Sequence, residues 1–477
     1  MFRLLFPGNC LKMIFRVSYN CKSGRWRCRP RRAAPFGAPA NRRQIEMRPF
    51  ILFIKKCFHS FAVQIMNGRR RFLTILTLGL LSAIGPFSID MYLPGFPEIA
   101  ADLDTTIAHI TLSLSSFFIG VSLGQLLYGP LLDKYGRKKP LYFGLALYLL
   151  TSIACAFSSS ADALIVMRFL QALGGCAGMV AARALVRDLF PVEENAKIFS
   201  LLMLVIAVSP IIAPTLGGYM TALFGWQSIF IILSIIAAVT LMAVYLWLPM
   251  GRQPDTSLSL FPVPITKGFL KVFKVPQFYT YALTGSVAAA GLYAYIAGSP
   301  FVFMKIYQVT EKQYGWIFAF IAMGLIVASQ LNTILLKKYS SEQIIRVALF
   351  CQSLAGIALL AGAWFNVLGL YSTIILIWLF LSTQGFTFPN SSALSIAPFS
   401  RNAGTASALM GAIQLGIGAF TSALVSMVSN NTEIPMVSVM CACAVLSFVV
   451  LLMGRKAIFK ANAESVQEES AKMIMTT

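Results

Sequence analysis

Charged side chains are scarce in this sequence: 12% of its 477 residues, against about 25% in soluble globular chains. A deficit that large leaves most of the surface facing lipid or other apolar helices and excludes an ordinary soluble domain. Histidine is almost missing, with only His59 and His109, and no pair among the nine cysteines stands at zinc-ligand spacing with a histidine. Nothing here suggests a metal centre. No Gly-x4-Gly-Lys-Ser/Thr phosphate loop occurs, and no loop is long enough for an ATPase domain, which excludes an ATP-driven pump. Clustered acids, histidines or metal ligands within or beside the apolar segments are also lacking, so no catalytic residue is expected and the chain does not read as an enzyme. Acids are few, 17 against 39 Lys and Arg, for a net charge of +22. That balance would ordinarily suggest nucleic acid, but residues 1–65 alone carry +13, with Glu46 their single acid, and the other 412 residues carry +9. No nucleic-acid partner is expected.

What is present is apolar and periodic. Mean hydropathy is +0.75, and apolar runs of about 18 residues or more recur, each enough to cross a ~30 Å hydrocarbon core as a helix. The short alternating segments of a β-barrel do not dominate. The runs predict spans over 72–93, 108–130, 140–158, 163–186, 197–221 and 226–248, then 278–304, 312–336, 343–365, 367–389, 402–428 and 434–454. The fold class is therefore an all-α membrane protein with twelve transmembrane helices in two pseudo-symmetric six-helix halves, as internal duplication produces. The expected organisation is a basic, disordered extension (1–65), a first half (66–248), a cytoplasmic linker (249–277), a second half (278–455) and a cytoplasmic tail (456–477).

Residues 1–65 cannot bury a core; runs such as Arg25-Trp26-Arg27-Cys28-Arg29-Pro30-Arg31-Arg32 read as disordered. No small-residue cleavage site follows a proper apolar region, so a secretory signal has little support. The extension is read as dispensable, with Met66 as the functional start; an organelle transit peptide is the other reading. Of the 25 basic residues in 66–477, about 22 fall at even-to-odd connections, the linker or the ends. Basic loops stay on the cytoplasmic side, which predicts two cytoplasmic termini.

The sharpest local pattern is Gly129-Pro130-Leu131-Leu132-Asp133-Lys134-Tyr135-Gly136-Arg137-Lys138-Lys139-Pro140, between spans two and three. Gly129 is read as permitting close helix approach, and Gly136 as supplying the positive φ that a tight loop needs. Asp133 is placed to pair with a base or a helix N-terminus, while Arg137, Lys138 and Lys139 hold the loop cytoplasmic. The stretch Gln125–Tyr135 has a degenerate echo at Gln330–Tyr339, in which Lys337 replaces the aspartate. The loop resembles the signature between helices two and three of the major facilitator superfamily. That resemblance implies a gating role, with Asp133 closing the cytoplasmic side against Asp188, basic partners and the N-terminus of helix eleven.

Two charges lie within spans. Arg168 interrupts span four, where a guanidinium costs at least ~2.5–3.5 kcal/mol unless paired or hydrated; Asp90 lies near the end of span one. Asp90 is 19 residues beyond Arg71, and Arg168 is 19 residues before Arg187. At about 1.5 Å per residue both lie roughly 28 Å from the cytoplasmic end, so the two spans can bring them level. Three readings stay open: Asp90 exchanging a proton under the influence of Arg168, a fixed ion pair, or an Asp90 wet at the outer surface.

Span five contains Ser209-Pro210-Ile211-Ile212-Ala213-Pro214-Thr215-Leu216-Gly217-Gly218. Pro210 and Pro214 interrupt its hydrogen-bond ladder, and the small residues offer a packing face. It resembles in part the fifth-helix motif of major facilitator antiporters, with Ser209 and Ala213 standing where that motif has glycine. The resemblance favours export, and a packing kink without bearing on direction is the plainer reading. Asp90-Met91-Tyr92-Leu93-Pro94, Tyr295–Phe303 and Gly385–Ser392 resemble the Bcr/CflA branch of drug:proton antiporters, over about residues 70–455. The resemblance implies export of bicyclomycin-, chloramphenicol- or sulfonamide-like compounds across a bacterial inner membrane, driven by the proton gradient without a bound cofactor, by a monomer. Gln171, Tyr293, Tyr295, Phe386 and Asn390, polar or aromatic within apolar spans, are the candidate cavity residues. A symporter importing a nutrient, or an exporter of a small metabolite, is the rival reading.

Overall fold

The computed structural model describes residues 68–251, 254, 262–399, 403–430 and 432–476, with backbone alone at 192, 193, 196, 262–265, 403 and 460–476. The extension before residue 66, the proposed start at Met66 and the linker residue Arg252 lie outside the described residues. Residues 67–477 cluster as one compact unit.

Twelve helices are long and apolar enough to cross a membrane. They are α1 (Gly68–Asp90), α2 (Ile107–Tyr135), α3 (Lys138–Ala156), α4 (Ala161–Leu189), α5 (Val192–Phe224) and α6 (Gln227–Trp247). After the linker come α7 (Pro276–Pro300), α8 (Glu311–Leu335), α9 (Ser341–Trp364), α10 (Leu370–Ile396), α11 (Ala403–Met427) and α12 (Ile434–Thr476). The count and order match the twelve apolar runs, and the described residues contain no strand. The linker is not merely polar coil, because Pro262–Phe273 forms a helix of its own, and α12 continues past residue 454 into the tail.

Helix boundaries follow local chemistry. Thr106 and Ser160 cap α2 and α4 by accepting the backbone N–H three residues on, at 3.1 and 3.2 Å. Thr310 with Gln313, and Ser340 with Gln343, form capping boxes at α8 and α9. Gly136 and Gly225 end α2 and α5 at φ +80°, a region open to glycine without strain. The prolines at 210 and 214 do not end α5, which runs unbroken from Val192 to Phe224; Ser209 and Thr215 hydroxyls donate to carbonyls four residues back at 2.9 Å.

Within the first half, α2 and α4 meet on glycine. A Cβ at Gly120 would lie 2.6 Å from the Phe169 carbonyl oxygen, and one at Gly124 2.7 Å from Cys176 Cβ. Gly129 does not share that contact, contrary to expectation: a Cβ there meets nothing within 4 Å. At 100° per residue, Gly129 is turned about 140° from Gly124, away from the α4-facing side.

Candidate functional site

The bundle has a basic end, carrying the Arg137-Lys138-Lys139 loop, and a far end, carrying the α1–α2 connection. At the basic end Arg137 is the hub. Its Nη1 donates to Asp133 Oδ1 at 2.7 Å and its Nε to Asp188 Oδ2 at 2.7 Å. Burial works against this guanidinium, but Asp188 and Asp133 outweigh it, so its pKa lies above the ordinary arginine value. Lys138 opens α3 half-buried. The cluster joins the end of α2, the loop and the end of α4, all in the first half. Residues 400–402, just before α11, lie outside the described residues, so the expected contact of Asp133 with that helix is not described. Arg71 of α1 and Glu194 of α5 form a second ion pair at this end.

Deep in the first half, Arg168 is fully buried. Its Nη1 donates to Gln171 Oε1 at 2.6 Å and its Nη2 to the Ser88 carbonyl at 2.9 Å. The guanidinium carbon lies 4.3 Å from the Phe117 ring centroid, 4.6 Å from Tyr92 and 5.8 Å from Phe230. An aromatic face attracts a cation, and guanidinium sheds water more readily than ammonium. Rings, a carbonyl dipole and an amide thus replace water around this charge without a carboxylate. Gln171 completes the shell by donating to Ser152 Oγ at 2.7 Å. It is engaged inside the half and is no cavity residue, which corrects its assignment from the sequence.

Asp90 and Arg168 stand level, since Ser88, two residues before Asp90, touches the arginine; yet they form no ion pair. Ser88 reaches Arg168 through its backbone carbonyl and Tyr148 of α3 through its hydroxyl, at 2.6 Å, and the Asp90 side chain lies about 200° further round α1. It is 6% exposed, so it is not wet at a surface either. Its carboxylate accepts no hydrogen bond among the described residues and acts electrostatically on Tyr293 and Tyr295 of α7 and Tyr314 of α8.

Around it runs the seam between the halves. Thr111 donates to the Ala297 carbonyl at 3.5 Å, Ser115 to Ser422 Oγ at 2.9 Å, and Ser122 to the Ala412 carbonyl at 2.8 Å. Ser426 donates to the Ala108 carbonyl. On the other flank, Thr215 Oγ1 donates to the Gly315 carbonyl at 3.4 Å. A Cβ at Gly217 would overlap the Met91 carbonyl, and one at Gly218 the Glu311 carbonyl. The Pro214–Gly218 stretch therefore lets α5 meet the end of α1 and the start of α8 backbone to backbone, sealing the far end. Tyr293 lies at the seam, half-buried, its ring 4.8 Å edge-on from Phe118 of α2 and its hydroxyl 3.5 Å from Gln414 Nε2 of α11. Tyr295 is 1% exposed, its ring 5.5 Å from that of Phe318.

Asn390, another expected cavity residue, donates to Asn332 Oδ1 at 2.7 Å and ties α10 to α8 instead. Phe386 is half-buried on α10. The sequence reading passed over Arg183, six residues before the end of α4, which is enclosed by protein yet partly accessible to solvent. Its Nε donates to the Met179 carbonyl at 3.4 Å, and no acid pairs with it among the described residues. Its position inside the predicted span 163–186 was the available signal. Phe118 and Gln414 carried none, being an aromatic and an amide in apolar helices.

The comparisons with known proteins agree with this architecture. The family model described as Major Facilitator Superfamily matches residues 78–423. The bicyclomycin resistance protein homolog of Haemophilus influenzae is 33% identical over 80% of this chain and 96% of its own. The chloramphenicol resistance protein of Pseudomonas aeruginosa is 28% identical, with 79% and 89% covered; multidrug resistance protein D of Escherichia coli is 27% identical, with 75% and 89% covered. Among solved structures, a D-xylose–proton symporter superposes with a TM-score of 0.65 at 12% identity, over 80% of this chain and 97% of that one. A bacterial homolog of the human lysosomal transporter Spinster, inward-facing and unoccupied, gives 0.61 at 14%, over 82% and 96%. With its twelve spans, its seam between halves and these relatives, the chain is a multi-pass membrane transporter rather than an enzyme and belongs to the Major Facilitator Superfamily, in its Bcr/CflA branch.

Proposed function

We propose that this protein exports small amphipathic, drug-like compounds across the bacterial inner membrane in exchange for protons, by alternating access. The observation that carries the proposal is Asp90: a carboxylate withdrawn from water, without counter-charge or hydrogen bond among the described residues, at the seam between two six-helix halves. An uncompensated buried carboxylate is costly, and taking up a proton removes the cost. Opening the seam to one side or the other exposes the same group to either aqueous phase. One proton crossing 100 mV yields about 2.3 kcal/mol, which supports a roughly 50-fold concentration gradient. No bound cofactor is needed, and one chain contains both halves, so a monomer suffices.

In this reading residues 66–248 and 278–455 rock against each other about Asp90, and both termini and the linker are cytoplasmic, as the basic loops favour. The packed far end then faces outward. The Asp133–Arg137–Asp188 cluster acts at the cytoplasmic gate, and Pro210, Pro214, Gly217 and Gly218 at the outer one. The direction of transport draws support from the bicyclomycin- and chloramphenicol-resistance relatives.

The test is uptake of labelled chloramphenicol into inverted vesicles with an imposed, acid-inside gradient. Wild-type protein accumulates the label, and Asp90→Asn loses gradient-driven accumulation by tenfold or more. Accumulation by Asp90→Asn at the wild-type level would remove Asp90 as the coupling group, and gradient-driven movement out of the vesicles would reverse the direction.

A further inference from the structure

The linker between the halves begins on the Asp133–Arg137–Asp188 cluster. Leaving α6, the chain passes α1, where Thr74 Oγ1 lies 3.4 Å from the Trp247 carbonyl, and it buries Leu248. Met250 turns out to solvent, and Gly251 comes down on the cluster. A Cβ at Gly251 would lie 2.8 Å from Arg137 Cγ, 3.0 Å from Leu185 Cδ2 and 3.1 Å from Asp188 Oδ2. Three residues on, Pro254 covers the turn after α2: a Cβ at Gly136 would stand 3.1 Å from Pro254 Cγ. Gly268, the other glycine of the linker, shows the contrast, since a Cβ there meets nothing within 4 Å.

This course of the chain accounts for an unevenness within one ion cluster. Asp133 is 49% exposed, yet Arg137, which pairs with it from a loop, is only 8% exposed. Arginine is ordinarily among the wettest residues; here α4 lies against its stem on one side and the linker backbone on the other. An ion pair closed off in this way is screened less by water and salt than an exposed one. Arg137 Cγ cannot swing aside to admit a larger residue at 251, because the guanidinium beyond it is held by two carboxylates. We propose that Gly251 and Pro254 form a lid that keeps Arg137 on Asp188 and shuts water from that pair, which makes Gly251 a positioning residue of the cytoplasmic gate. The inference rests on the reading of the cluster as that gate, and it adds a part that lies in neither half. The linker also reaches the second half, where Val272 is buried with Phe278 and Ala282 of α7 and Ala406 of α11.

Thiol labelling and transport test this together, with the full-length chain in inverted vesicles. Leu185, under the lid, is fully buried; in a chain whose native cysteines are replaced by serine, labelling of Leu185→Cys by a membrane-impermeant maleimide reports local opening there. With Gly251 in place, labelling is slow and gradient-driven chloramphenicol uptake changes little with salt. Gly251→Leu speeds labelling about tenfold and lowers uptake several-fold. It also makes uptake fall further as salt is raised, because the uncovered pair is screened. Gly251→Ala moves all three readouts the same way by less, and serves should the leucine variant unfold. Gly268→Leu leaves all three at the wild-type level. Equal labelling with glycine and leucine at 251 would overturn the lid, and so would wild-type uptake and salt response in Gly251→Leu. Loss of uptake in Arg137→Ala would in either event leave the gate reading standing, whereas wild-type uptake in Arg137→Ala would remove the gate itself.

Discussion

The two halves share one plan but bury different chemistry. Every charged residue that is nearly or fully buried among the described residues, Asp90, Arg137 and Arg168, belongs to the first half. The second half buries neutral polar groups in the corresponding interior: Asn332, Gln352, Gln384, Asn390 and a series of serines and threonines. The loops show the same divergence. Lys134 lies 5.8 Å over the Tyr135 ring, and Lys338 lies 5.8 Å over Tyr339, so the duplicated position is still visible. In the first half that loop closes on the Asp133–Arg137–Asp188 cluster. In the second half Lys337 stands where the aspartate would be, and the turn is secured by the Ser340–Gln343 capping box. The six-helix plan occurs twice, and charge is buried in one of the two halves. A buried charge costs several kcal/mol without compensation, so it is informative that all of them lie on one side of the seam.

Removing charge from the first half has the largest expected effect. Arg168→Ala strips two charge-assisted hydrogen bonds and three ring contacts from a fully buried site, for a loss of about 2–3 kcal/mol or more. Lysine does not restore the flat, forked geometry that Ser88, Gln171 and Phe117 receive. Both variants are expected to abolish gradient-driven uptake and to lower the unfolding midpoint in detergent; wild-type uptake by Arg168→Lys would show that any cation suffices there. A smaller effect follows in the second half. Asn390→Leu leaves Asn332 Oδ1 without its donor, at a cost of about 1–3 kcal/mol. The double variant Asn332→Leu, Asn390→Leu recovers much of that stability, and coupling stays intact in both. Loss of coupling in the stable double variant would break the contrast between the halves.

The smallest effect lies at the far end of the second half. Tyr307 donates to Glu433 Oε2 at 2.8 Å, and burial together with that carboxylate pushes its pKa up to about 12. A raised pKa gives stability that is complete below the ordinary tyrosine value near 10 and disappears as pH rises through about 12. Unfolding midpoints measured from pH 9 to 12 therefore fall less in Tyr307→Phe than in the wild type. The difference is small because the phenol is largely solvent-screened, and identical pH profiles would remove the assignment.

Much of the fold was legible in advance because a membrane span is specified locally. An apolar run long enough for the hydrocarbon core must satisfy its own backbone as a helix, and the twelve runs predicted the twelve helices. The turn at Gly136 was legible for a similar reason, since its positive φ is a property of one residue. Gly129 shows where local reading stops: a glycine can permit close approach, but its rotation about α2 decides whether a helix is there to approach. Asp90 and Arg168 show the same limit. Counting residues along two helices brought them level, because rise per residue is nearly constant. Which way each side chain points depends on how α1 and α4 are turned within the bundle, and that is settled by packing across the whole half. The sequence by itself determined the spans, their order and the presence of two costly charges. Only the tertiary structure decided that Arg168 is enclosed by rings and carbonyl within one half while Asp90 faces the seam, because side-chain partners in a helical bundle come from distant parts of the chain.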